Sequence, residues 1–127
     1  MERHPVIVAG FGYRGATTPE ALAEALHLAA GARSVDAIAA PADKAEAPAF
    51  RSFAKSRSLP LHLVSPEALE AAETLTQSSI SRTARGTGSV AEASALASLA
   101  PGARLLGPRV ISSDRSATCA LAEGDPL

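Results

Sequence analysis

The chain has 127 residues, 46% of them apolar, and a formal net charge of −1 at pH 7. That is enough for one domain spanning residues 1–127 with a real core, and with 3 Phe, 1 Tyr and no Trp the core must be filled by Ala, Leu, Val and Ile. Balanced charge and scarce aromatics speak against a nucleic-acid surface, Cys119 as the only cysteine excludes a disulfide framework or a Cys-rich zinc site, and no apolar run is long enough to span a membrane. The start, Met1-Glu2-Arg3-His4, leads into a short strand and not a signal peptide, so the expected location is the cytoplasm.

The first strand is Pro5-Val6-Ile7-Val8-Ala9, and it runs into a turn over Gly10–Thr17 that carries Gly10, Gly12, Arg14 and Gly15. Thr18 is a capping residue, Pro19 suits the first helical position and Glu20 suits the positive helix end, which predicts a helix over Pro19–Ala30 stopped by Gly31. Leu22, Ala25, Leu26 and Ala29 share one face of it. A second strand is expected over Ser34–Ala39, then a loop over Pro41–Glu46 and a helix from Pro48 to Arg57 with Phe50, Phe53 and Ala54 inward. Leu61–Val64 reads as a third strand, and Ser65-Pro66-Glu67 opens a helix ending near Thr74.

From Leu75 to Gly88 the pattern breaks into a polar stretch containing Arg82 and Arg85. Long loops in compact domains commonly serve function, and this one is expected to fold over a ligand as a mobile lid. Ser89-x-x-Glu92 reads as a capping box opening the last helix, with Val90, Ala93, Leu96, Ala97 and Ala100 as its buried stripe. Arg104–Gly107 and Ala117–Ala122 read as strands, with a turn over Ser112–Ser116 between them.

Alternating strands and helices predict an α/β fold. It is a three-layer α/β/α domain with a mainly parallel sheet and an antiparallel C-terminal edge pair. Ligands of such sheets bind at the carboxyl ends of the strands, where the Gly10–Thr17 turn and the Pro41–Glu46 loop both lie.

The first of these turns is suited to an anion. Glycines let a ligand approach the backbone, amides at a helix start point outward with partial positive charge, and Arg14 adds a forked donor. Gly10-x-Gly12-x-x-Gly15 also matches the dinucleotide fingerprint. The second strand, however, ends in Ala39-Ala40 without the acid that would hold a ribose, so nucleotide binding ranks below other readings. Asp43-Lys44-x-Glu46 reads first as a solvated loop with an ion pair, and second as a carboxylate site at Lys44 or an acid–base site through its two acids, Asp43 and Glu46. Glu92 is read first as a cap and second as a general acid or base. Cys119 in an apolar strand reads as a buried small hydrophobe. His4, His27 and His62 have no metal-ligand spacing.

Taken together, Gly10-x-Gly12-x-Arg14, Asp43-Lys44, Leu59-Pro60-Leu61, Ser89-Val90-Ala91-Glu92-Ala93-Ser94-Ala95-Leu96 and Ala117-Thr118-Cys119-Ala120-Leu121-Ala122 resemble the CobE family of cobalamin biosynthesis proteins, which is similar to the C-terminal domain of CbiG. Tyr13 stands where many relatives carry Cys, and Arg109 where Lys is usual. The resemblance implies a place in corrin ring synthesis. The implied ligand is a precorrin or corrin intermediate, an apolar macrocycle rimmed with acetate and propionate carboxylates. Gly10, Gly12, Arg14, Lys44, Ser89 and Arg109 are the candidate edge of its cleft. No cofactor, metal, nucleic acid or membrane is expected, and other enzymes of the pathway are candidate partners. An accessory or carrier role is the first expectation. The alternative is a precorrin-5A hydrolase-type enzyme that opens a δ-lactone with release of acetaldehyde, with Asp43 or Glu92 as its acid or base.

Overall fold

The computed structural model describes residues 5–14, 16–42, 47–77, 87–107 and 109–126, with the backbone alone over 72–77 and 87–89. The elements run β1 (Val6–Tyr13), α1 (Pro19–Ala30), β2 (Ala37–Pro41), α2 (Pro48–Arg57), β3 (Leu61–Val64), α3 (Pro66–Gln77), α4 (Thr87–Ala97), β4 (Arg104–Leu105), β5 (Val110–Ile111) and β6 (Ala117–Gly124).

Local signals account for several of them. Thr18 Oγ1 accepts from the Ala21 N–H at 3.1 Å, Pro19 begins α1, and Gly31, at φ 56°, closes it by donating its N–H to the His27 carbonyl. α2 and α3 also start on prolines, and Ser65 caps α3 through the Ala68 N–H. No helix among the described residues is long and apolar enough to cross a membrane.

The sheet has the order β3-β2-β1-β6-β4, with β5 lying beyond β4 along the same side of β6. β1 pairs parallel with β2, and β2 with β3. β6 runs antiparallel to β1 on one side and to β4 and β5 on the other, so it alone is reversed and each antiparallel pairing among the described strands involves it.

Helices cover both faces. Ala9, Phe11, Tyr13, Ile38, Cys119 and Leu121 pack under α1 and α2. Val8, Ala37, Ala39 and Ala122 pack with Ala95 and Leu99 on the α4 side, with Ala68 and Leu69 of α3 alongside. The period-two alternation of β1 thus sends successive residues to opposite layers. All three Phe are buried together with Tyr13: Phe11 meets Phe50 and Phe53 edge-on at 5.9 and 5.2 Å, and Tyr13 stacks on Phe50 at 5.2 Å. These geometries are the favourable ones for ring quadrupoles.

Three expectations are corrected. β1 continues through Tyr13, so Gly10 and Gly12 are strand residues paired with Ala120 and Thr118 instead of turn residues. The second strand is shifted to Ala37–Pro41 because its register is set by pairing with β1 at Val8–Gly10. α4 begins at Thr87, and Ala91 through Ala95 are all buried. The sheet covers one side of this helix and α3 another, so no single apolar stripe exists.

Candidate functional site

α1, α2 and α3 each follow a parallel strand and therefore start at the carboxyl edge of the sheet. α4 starts there too. A Cβ built on Gly10 would meet the Ala91 carbonyl and the Ala95 amide, whereas Leu99 bridges Pro126 at the far end, where β6 closes against Val6. α4 therefore descends opposite to β1. Four helix N-termini face one edge, and each contributes partial positive charge. Arg14, exposed, leaves β1 at this edge.

The backbone around Arg14 is fixed. Its N–H donates to the Ser116 carbonyl at 2.9 Å and its carbonyl accepts from the Thr17 N–H at 3.0 Å. The Ser112–Ser116 turn is tied to this loop by a buried hydroxyl pair, Thr17 Oγ1 and Ser116 Oγ, at 2.9 Å. Asp114 organises the turn: Oδ1 accepts from Ser112 Oγ at 2.7 Å, Ser116 Oγ at 2.8 Å and the Ser116 N–H at 3.0 Å. Led by the Ser112 hydroxyl, these donors hold its carboxyl below the usual range. Glu24 of α1 accepts from Ser113 N–H and Oγ, fastening the turn to the helix. Sequence reasoning missed Thr17, Ser112, Asp114 and Ser116 as a unit. The Ser-Ser-Asp-Arg-Ser run signalled a turn, since Asp and Ser bond their own backbone neighbours, but not that it would meet Thr17.

The second feature is Glu92. It is 2% exposed, on α4. Burial raises its pKa, opposed by a hydrogen bond from the Arg109 backbone N–H and by the Arg109 charge. Glu92 Oε1 and Arg109 Nε are both buried without a hydrogen-bond partner. The structure thus brings together two residues that lie 17 positions apart and that the sequence had singled out separately. The capping-box reading of Glu92 is corrected: Ser89 lies inside α4, and the carboxyl takes the amide of Arg109.

The other candidates fall as follows. Gly10 is needed for packing, because its Cβ would stand 2.2 Å from the Ala91 carbonyl oxygen and 2.5 Å from the Ala95 nitrogen. Gly10 and Gly12 thus lie within β1, and not in a strand-to-helix turn as the dinucleotide fingerprint requires. Gly12 accepts a hydrogen bond from Thr118 Oγ1 at its carbonyl, 3.2 Å away. Asp43, Lys44, Glu46, Arg82, Arg85 and the Ser89 side chain lie outside the described residues. Of the expected loop over Leu75–Gly88, the two ends belong to α3 and α4, and 78–86 lie outside the described residues. His27 and His62 are exposed. Cys119 is fully buried and desolvation pushes its thiol far up, as a packing residue requires. Among the described residues no three His, Cys, Asp or Glu side chains gather as a metal site.

Comparison with known proteins gives a consistent picture. Residues 7–122 match the model of a family described as cobalamin synthesis G C-terminus. Among solved structures the chain is similar to the cobalamin biosynthesis protein chiG from Agrobacterium tumefaciens str. C58, with 39% identity and a TM-score of 0.70 over 92% of this chain and 97% of that one. It is also similar to CobE, a protein from the cobalamin (vitamin B12) biosynthetic pathway, with 29% identity and a TM-score of 0.77 over 100% of this chain and 96% of that one. The comparison with curated protein sequences returned no match.

Proposed function

The chain belongs to the cobalamin synthesis G C-terminus family of cobalamin biosynthesis proteins, and from that premise we propose that it binds a precorrin or corrin intermediate at the carboxyl edge of its sheet, as an accessory or carrier protein of corrin ring synthesis. The carrying observation is the convergence of four helix N-termini on the edge where Arg14 stands exposed on a hydrogen-bonded loop. Such an edge attracts carboxylates, and a corrin ligand carries them around an apolar ring. Arg109 extends the positive character toward β5, and Lys44 and Ser89 are retained as candidate contacts on the strength of the family resemblance.

Glu92 favours a second reading. A buried carboxyl with its pKa raised by desolvation suits a general acid or base, as opening a precorrin lactone would require. Incubation of the pure protein with precorrin-5-stage intermediates separates the two. A carrier gives a stoichiometric spectral change with the ligand recovered intact, and a hydrolase gives turnover with release of acetaldehyde.

A further inference from the structure

The Glu92–Arg109 pair has an arrangement that neither a cap nor a simple ion pair explains. A carboxyl 2% exposed on a helix is costly unless it is neutral or fully paired. Here one hydrogen bond, from the Arg109 backbone N–H, is made, while Glu92 Oε1 and Arg109 Nε both go without partners. Arg109 itself is only partly buried and sits at the entry to β5, with Val110 turned to the opposite face of the sheet, toward α1 and α2. Arg109 Nε is thus buried while the residue as a whole keeps some exposure, and its charge acts on Glu92.

Other charges around α4 do not compete. Among the described side chains of elements packed on it, Glu67 and Glu70 of α3 are exposed, and Arg104 and Glu123 of β4 and β6 pair with each other at 2.9 Å. Among the described residues, Arg109 is the charge that acts on Glu92.

We propose that Arg109 receives a carboxylate of the ligand and that Glu92 takes up a proton as it does so, which makes Glu92 a positioning residue acting through Arg109 and not a group that touches the ligand. This rests on the binding reading above. With Glu92 ionised, Arg109 is neutralised from within and attracts an external anion weakly. With Glu92 neutral, the full guanidinium charge is available. A ligand carboxylate beside Arg109 in turn disfavours the ionised form of Glu92, and the two effects are reciprocal.

The test is calorimetric titration with hydrogenobyrinic acid in buffers of different ionisation enthalpy, across about pH 6 to 8, where ligand carboxylates stay ionised. The wild type should take up protons on binding and gain affinity as pH falls, by at most about tenfold per pH unit for a single coupled proton. Glu92→Gln keeps the shape and the acceptor for the Arg109 amide. It should bind at least as tightly as wild type at the upper end of the range, with no proton uptake and a flat profile. Arg109→Met should lose affinity and the linkage together. Wild-type binding without proton uptake overturns the proposal while leaving the binding reading intact, and so does a Glu92→Gln profile that keeps the wild-type slope. No wild-type binding at any pH overturns both.

Discussion

Gly10 of β1 and Ala91 of α4 touch backbone to backbone: a Cβ at position 10 would stand 2.2 Å from the Ala91 carbonyl oxygen, inside any tolerable contact. Glycine there is a packing requirement of the buried helix. Gly10→Ala should therefore force α4 off the sheet and lower stability by about 1–3 kcal/mol, the usual cost of overpacking. Thermal or denaturant unfolding measures it. A neutral or stabilising effect, as expected for an unconstrained strand glycine, would show that α4 does not seat on β1 in this way.

Arg14 should behave in the opposite manner. Its side chain is exposed, and its backbone bonds to Ser116 and Thr17 survive any side-chain change. Arg14→Ala should shift stability by less than about 0.5 kcal/mol and weaken binding of a corrin carboxylate by about 1.5–3 kcal/mol. Collapse of stability with affinity preserved would make Arg14 a structural residue.

These two residues show what was legible and what was not. Both stood out from the same glycine-rich stretch, yet only contacts distant in sequence separate their roles. α1 over Pro19–Ala30, with its Thr18 cap and Pro19, and α2 over Pro48–Arg57, with Pro48, lie where those signals put them, because they act within one turn, and β3 over Leu61–Val64 lies on its short apolar run. β5 is two residues long and exists only by pairing with Cys119 and Thr118. α4 hides its period because Ala91, Ala93, Ser94 and Ala95 are small and buried on several sides. The Glu92–Arg109 contact needs the fold to bring it together.

Glu92 predicts a pH dependence of stability. Its folded pKa lies above the ordinary 4.5, so the folded state binds more protons than the unfolded chain in the interval just above that value. Stability should then fall as pH rises through the interval. Glu92→Gln should be more stable than wild type at neutral pH, with the advantage vanishing below the unfolded pKa. Chemical denaturation at paired pH values checks it, and a wild type favoured at neutral pH would mean that the carboxylate is stabilised by Arg109 in its charged form.

Asp114 carries the turn that holds the Arg14 loop. Asp114→Ala removes the acceptor shared by Ser112 Oγ, Ser116 Oγ and the Ser116 N–H, and so loosens Ser116 from Thr17 and from the Arg14 N–H. Amide exchange at Arg14 should accelerate, and Asp114→Asn, which retains an oxygen acceptor, should restore part of the protection. Unchanged exchange in Asp114→Ala would show that the Thr17–Ser116 contact stands without the turn.

The most direct measurement is an equilibrium absorbance titration of wild-type protein into hydrogenobyrinic acid, with its fully esterified form as the control. Binding of the acid should be saturable at about tens of micromolar or tighter, equivalent to roughly −6 to −7 kcal/mol, and the ester, stripped of its carboxylates, should bind at least about tenfold more weakly, the worth of one charge-assisted contact. Equal affinity for acid and ester, or no spectral change with the acid, would contradict a carboxylate-reading edge.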